Sequence, residues 1–200
     1  MLSRRNLLTA SATPLLFGAG LHVPGAAHAQ DRLPPSGATT PPGPPAEAAP
    51  QLPGAVWSGA ARMRFFGLAI YDAALWVGPG FSAGRYAQSP LALQLTYLRS
   101  LNGRSIAQRS LEEMRRGGPL TPAQEQRWLA AMQEAFPDVQ NGDRITGLHQ
   151  PGVGARFWFN GQPRALVRDP DFSRLFFGIW LADFSSEPAL RVALLAGAAP

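Results

Sequence analysis

The apolar and polar positions of this chain follow two different periods, and the places where one gives way to the other mark its elements. Val56–Phe65 alternates: Trp57, Gly59, Ala61, Met63 and Phe65 point one way, and Val56, Ser58, Ala60, Arg62 and Arg64 the other. A period of two is that of a strand. Phe66-Gly67-Leu68 then has hairpin spacing, with glycine where a tight turn needs it. The next limb, 69–77, is apolar except for Tyr71 and Asp72, as expected for a strand covered on both faces. Leu91–Leu98 reads as a third strand.

The period changes at Gly103–Arg116, an amphipathic helix with Ile106, Ser110 or Leu111 and Met114 inward and Glu112, Glu113, Arg115 and Arg116 mainly outward. Thr121-Pro122-Ala123-Gln124 opens a second helix, with threonine at the cap and glutamine three residues on. That helix stops before Pro137. Strands at Arg144–Leu148, Ala155–Phe159 and Pro163–Val167 follow, the last two joined by Asn160-Gly161, a strong hairpin signal. Asp169-Pro170 caps a helix over Asp171–Leu181 that is apolar nearly all round and so should be buried. Ser186-Glu187-Pro188 begins a last short helix to Leu195. Strands and helices in separate runs give an α+β domain on an antiparallel sheet, over about 55–197.

Two segments precede it. Residues 1–29 read as an export signal, with paired Arg4-Arg5 after Ser3, an apolar core at Leu7–Val23 and an Ala27-His28-Ala29 cleavage site before Gln30. The arginine pair fits a twin-arginine signal, and an ordinary secretory leader is the alternative. Either places the mature protein in the periplasm or outside the cell. Residues 30–54 are rich in proline and read as a disordered linker. No other apolar run is long enough to span a membrane.

Composition narrows the chemistry. There are no cysteines and no lysines, which excludes disulfides, thiolate nucleophiles, Schiff bases and P-loop lysines. The charge is +5, and loss of Arg4 and Arg5 with the leader leaves 16 basic against 13 acidic residues. So small and scattered an excess does not point to nucleic acid. His149, the one histidine after residue 29, stands beside a predicted turn and reads as a surface loop residue, and a lone histidine makes no metal site. Glu112 and Glu113 adjoin on a helix and read as a solvated face. Asp169 and Asp171 serve the start of their helix. No cofactor motif is present.

Arg62, Arg64 and Tyr71 remain, two cations and a phenol on neighbouring strands. Two accounts fit them. In one, the arginines face water or pair with Asp72, and Tyr71 packs in the core. In the other, they meet an anionic ligand.

Gly59-Ala60-Ala61-Arg62, Tyr71-Asp72-Ala73-Ala74-Leu75-Trp76, Leu101-Asn102-Gly103 entering a helix, Phe136-Pro137-Asp138-Val139, Gly142-Asp143, Phe157–Gly161 and Phe172 leading to Phe176-Phe177-Gly178-Ile179-Trp180 occur in that order. The set resembles the chalcone isomerase-like proteins, their exported bacterial branch above all, over nearly the whole domain. That resemblance implies an open-faced β-sandwich, a large antiparallel sheet covered by helices, with a ligand cleft between. It puts the family's cleft arginine on Arg62. The position that is threonine in plant isomerases and tyrosine in fatty-acid-binding members falls on Tyr71. The tyrosine, lysine and asparagine that serve the isomerase substrate become Ile106, Arg109 and Glu113, and a late-helix threonine falls near Ile179-Trp180. Arg109 keeps only the charge. The resemblance thus implies a non-catalytic binder of a small amphipathic carboxylate such as a fatty acid. The alternatives are an isomerase or lyase acting through Arg62 and Tyr71, and an interaction protein whose cleft its own side chains fill.

Overall fold

The computed structural model describes residues 42–198. Six strands form one antiparallel sheet in chain order: β1 Val56–Phe65, β2 Leu68–Val77, β3 Leu91–Tyr97, β4 Arg144–Gln150, β5 Gly154–Phe159 and β6 Gln162–Val167. Four helices lie between and after them: α1 Gly103–Met114, α2 Pro122–Ala135, α3 Pro170–Leu181 and α4 Pro188–Leu194. The α+β sheet with helices is the architecture the pattern predicts. None of these helices is long and apolar enough to cross a membrane.

The turns and caps do what their residues dictate. Phe66 and Gly67 both take positive φ, 47° and 77°, the two-residue turn that suits strand twist. Thr121 and Gln124 form a reciprocal capping box at α2. Asp169 caps α3 by accepting from the Phe172 amide at 3.0 Å, and it also accepts from the Trp128 indole at 2.8 Å.

Register divides the sheet into two faces. Rows such as Ala61, Ala73, Leu95, Ile145 and Phe159 face the helices and join the main core, where Phe157, Phe172, Phe176 and Phe177 pack edge-on or stacked beneath α3. On the opposite face, Trp76, Ala92, Leu148 and Trp158 form a second, smaller core with Ala48 and Leu52.

That second core corrects the linker expected over 30–54. Its described part is packed on the sheet: the Trp76 indole donates to the Pro42 carbonyl at 2.8 Å, and the Thr146 hydroxyl donates to Glu47 at 2.6 Å. Proline contributes no N–H, so such a segment can cover a sheet face through side chains and carbonyls without extending the ladder. The rest of the linker and the expected export signal at 1–29 lie outside the described residues.

His149 is a second correction. It belongs to β4, in the inward row of Ile145 and Gly147, and is only 2% exposed. Its Nε2–H donates to the Ala87 carbonyl at 3.0 Å, and its Nδ1 lies 2.6 Å from the Ser173 hydroxyl, which is also 2.9 Å from the Gly154 carbonyl. Burial pushes its pKa down, so the ring is a neutral structural tie between β4, α3 and the turn at Ala83–Gln88. The alternation ran two residues further than the turn signal at Pro151 suggests.

Candidate functional site

The two faces decide which of the sequence-selected residues can cooperate. Arg62 is in register with Asp72, and Met63 with Tyr71. Arg62 and Tyr71 therefore point to opposite faces of the sheet, because in-register residues share a face and successive residues alternate. The structure does not bring them together, and one carboxylate cannot be held by both. Arg62 instead forms a two-pronged ion pair with Asp72, Nε to Oδ1 at 2.6 Å and a terminal nitrogen to Oδ2 at 2.9 Å. A register shift between Met63 and Arg64 ends the alternation there. Arg64 sits on the exposed hairpin end, its guanidinium 3.4 Å from the Gly67 carbonyl.

Tyr71 faces the helices. Its ring meets Tyr97 edge-on at 6.0 Å, and its hydroxyl accepts from the Trp180 indole at 3.0 Å. Burial is the main reason its pKa rises well above the ordinary phenol value, and the charges of Glu187 and Glu113 push it the same way. The phenol is therefore neutral at any physiological pH, a donor beside an apolar interface. Trp180 is 5% exposed and packs on Phe176 at 5.5 Å, so its indole occupies the space between sheet and α3.

Glu113 is the residue that the pattern misplaced. The expected solvated face holds for Glu112, but Glu113 is 7% exposed and turned inward. It pairs with Arg109 one turn back, and its other oxygen lies 3.6 Å from Arg116 with no hydrogen-bond partner. The signal was there to be read: Ile106, Ser110 and Glu113 are spaced i, i+4, i+7, the inward stripe of α1. Glu187, which precedes α4, feels the same neighbourhood. Burial and the Glu113 carboxylate raise its pKa, while Arg109 pulls the other way.

Tyr71, Arg109, Glu113, Trp180 and Glu187 thus form one electrostatically linked group where β2, α1, α3 and the start of α4 converge. It offers a neutral phenol, itself accepting from the Trp180 indole, with one guanidinium and two carboxyls at the rim of an apolar layer. The group can hold a polar head by hydrogen bonds while apolar side chains take its tail.

The sequence profile of a family described as chalcone isomerase-like matches residues 56–196. An uncharacterised protein of Haemophilus influenzae is 30% identical over 121 residues, 60% of this chain, and the chain spans 59% of that relative's length. Among solved structures, an Arabidopsis thaliana fatty-acid binding protein superposes with a TM-score of 0.56 over 71% of this chain and 87% of its own. At 14% identity that likeness shows a shared fold.

Proposed function

This chain belongs to the chalcone isomerase-like family, and from that premise we propose that it is an exported, non-catalytic binder of a small amphipathic carboxylate such as a fatty acid. The observation that carries the reading is Tyr71, a neutral donor at the edge of an apolar sheet–helix layer with Arg109 in electrostatic reach. The fold shared with a plant fatty-acid binding protein supports the same ligand class. Arg109, and not Arg62, is the cation on the correct face. The isomerase alternative rests on Arg62 and Tyr71 acting as one pair, which the register keeps apart.

A carboxylate head reaching Arg109 competes with Glu113 and approaches Glu187. Its charge raises the proton affinity of the Glu187 carboxyl, so the complex holds more protons than the free protein. By linkage, affinity rises as pH falls through the carboxyl range. An alkyl sulfonate, whose own charge is fixed, isolates that effect. Calorimetric titration should show tighter sulfonate binding at about pH 5 than at about pH 7. Tyr71→Phe should weaken dodecanoate or dodecyl sulfonate binding roughly 10- to 150-fold, the loss of a hydrogen bond to a charged group. Arg62→Gln, on the other face, should leave binding unchanged. If Arg62→Gln weakens it as much as Tyr71→Phe, the site has been put on the wrong face. If no amphiphile binds the wild type, the fatty-acid reading goes.

Export is the other half of the proposal, and it rests on Ser3-Arg4-Arg5 and Ala27-His28-Ala29. Changing both arginines to lysine should stop twin-arginine transport while leaving a serviceable secretory n-region. Normal processing at Gln30 of the double-lysine protein in a cell fractionation would rule out the twin-arginine route.

A further inference from the structure

A groove of about 570 Å³ separates the turn at Ala83–Gln88 from Arg116 and Gly117, just past α1, and from the end of α3 at Leu181 with the residues to Phe184 that follow it. It is distinct from the Tyr71 group. Arg85, Arg116, Arg174 and Arg191 line it, and Asp183 is the one acid among the lining residues. Tyr86 and Phe184 are among the residues that line it, and two glycines, Gly117 in the lining and Gly178 behind it, make room for those rings. A Cβ on Gly117 would come within 2.6 Å of the Phe184 ring, and one on Gly178 within 2.7 Å of the Tyr86 hydroxyl. Gly117, in the turn after α1, and Gly178, in α3, therefore let aromatic rings approach the backbone, and Tyr86 is fixed there by donating to the Arg174 carbonyl at 2.8 Å.

The rim is held as firmly as those rings. Arg116 donates through Nε to the Phe184 carbonyl at 2.9 Å, and Arg191 through Nε to the Leu181 carbonyl at 2.8 Å. Two guanidiniums are thus anchored by their inner nitrogens on one short segment. A guanidinium has five N–H donors in a planar fork, so anchoring at Nε leaves terminal donors for other acceptors. Arg191 spends one terminal nitrogen on Asp183 at 2.8 Å, and Arg116 has Glu113 behind it at 3.6 Å. Arg174 lies 3.6 Å from Asp171, both side chains exposed.

A role confined to the helix ends accounts for part of this, since a cation near the last carbonyls of α3 is favourable. It accounts for neither the gathering of four cations around one concavity nor the aromatic rings in its lining. We propose that this groove binds a phosphate ester that carries an apolar or planar group. Phosphoryl oxygens take the free guanidinium donors, which suit a tetrahedral oxyanion approached from several sides. The ester group lies on Phe184 and Tyr86. A soluble phosphate ester and an anionic phospholipid headgroup offer this same chemistry.

The test uses the full mature chain and two probes, naphthyl phosphate in solution and phosphatidylglycerol vesicles set against phosphatidylcholine vesicles. The groove variant is Arg85→Glu with Arg174→Glu, neither of which holds a backbone carbonyl through its side chain. The control, Arg104→Glu with Arg144→Glu, makes the same charge change elsewhere. The groove variant should lose about tenfold or more in affinity for at least one probe, while the control stays within about twofold. Arg85→Glu alone, on an exposed turn, gives the same reading if the double variant folds poorly. Groove-dependent capture of naphthyl phosphate identifies a soluble ester, and groove-dependent capture of phosphatidylglycerol vesicles alone identifies a headgroup. Equal loss in groove and control variants would mean attraction to net charge only. That outcome, or binding of neither probe, overturns the proposal.

Discussion

Gly103→Ala is expected to lower the melting temperature by roughly 6–12 °C, the consequence of about 3 kcal/mol for a domain of this size. In an isolated helix the sign would be opposite, because alanine is favoured over glycine by about 1 kcal/mol. Here the first turn of α1 runs against the chain leaving α2. A Cβ at residue 103 would stand 2.6 Å from the Pro137 carbonyl carbon and 2.7 Å from its oxygen. Neither is a side-chain end that could swing away. The same junction is tied by Asp138, which accepts from the Gly103 amide at 2.8 Å and the Asn102 side chain at 2.9 Å, and by the bridge between Leu101 and Val139. Displacing one strand of that junction loosens the others, and α1 carries Arg109 and Glu113. Thermal unfolding followed by circular dichroism decides the matter. An unchanged or higher melting temperature would mean that this close approach is not kept in solution.

Trp180→Ala should produce two effects of opposite sign. Removing a buried indole that packs on Phe176 and donates to Tyr71 costs about 3–5 kcal/mol, or roughly 6–20 °C in melting temperature. It also vacates the space beside Tyr71 that a ligand's tail needs. The variant should therefore bind dodecanoate more tightly than wild type and recover a larger share of its melting temperature on addition of the ligand, since a ligand selective for the folded state stabilises by mass action. Loss of stability without any ligand recovery would assign Trp180 to the core alone. It would also favour a cleft filled permanently by the protein's own side chains.

The corrections share one cause. Turn residues, caps and period were legible wherever a choice depended on neighbours in the chain: Phe66-Gly67, Asn160-Gly161, the box at Thr121 and Gln124, and the cap at Asp169 all stand where expected. The sequence puts His149 at the surface because it stands beside a turn signal, and Glu113 because it adjoins Glu112 on a helix. The inward placement of each follows from the period of its own element, which in β4 runs on past Leu148 and in α1 carries Ile106, Ser110 and Glu113 on one stripe. The proline-rich run at 42–54 looked unable to build a core by itself. It does not need to, because Ala48 and Leu52 complete one that the sheet's outer face begins.

Arg62 and Tyr71 show the boundary most clearly. The sequence alone determined that a strand carrying Arg62 turns back into a strand carrying Tyr71 and Asp72, and it left an arginine pair with Asp72 as one of two accounts. It could not determine which residues of the two limbs stand opposite one another, since a slip of one residue sends every side chain to the other face. Register arises from the turn, the bulges after Trp57 and Met63, and the two unlike layers packed on the sheet. Only with those in place does Arg62 go to the outer face while Tyr71 joins Arg109, Glu113, Trp180 and Glu187. Local pattern fixes which elements form, and the burial of both faces at once fixes which side chains can meet.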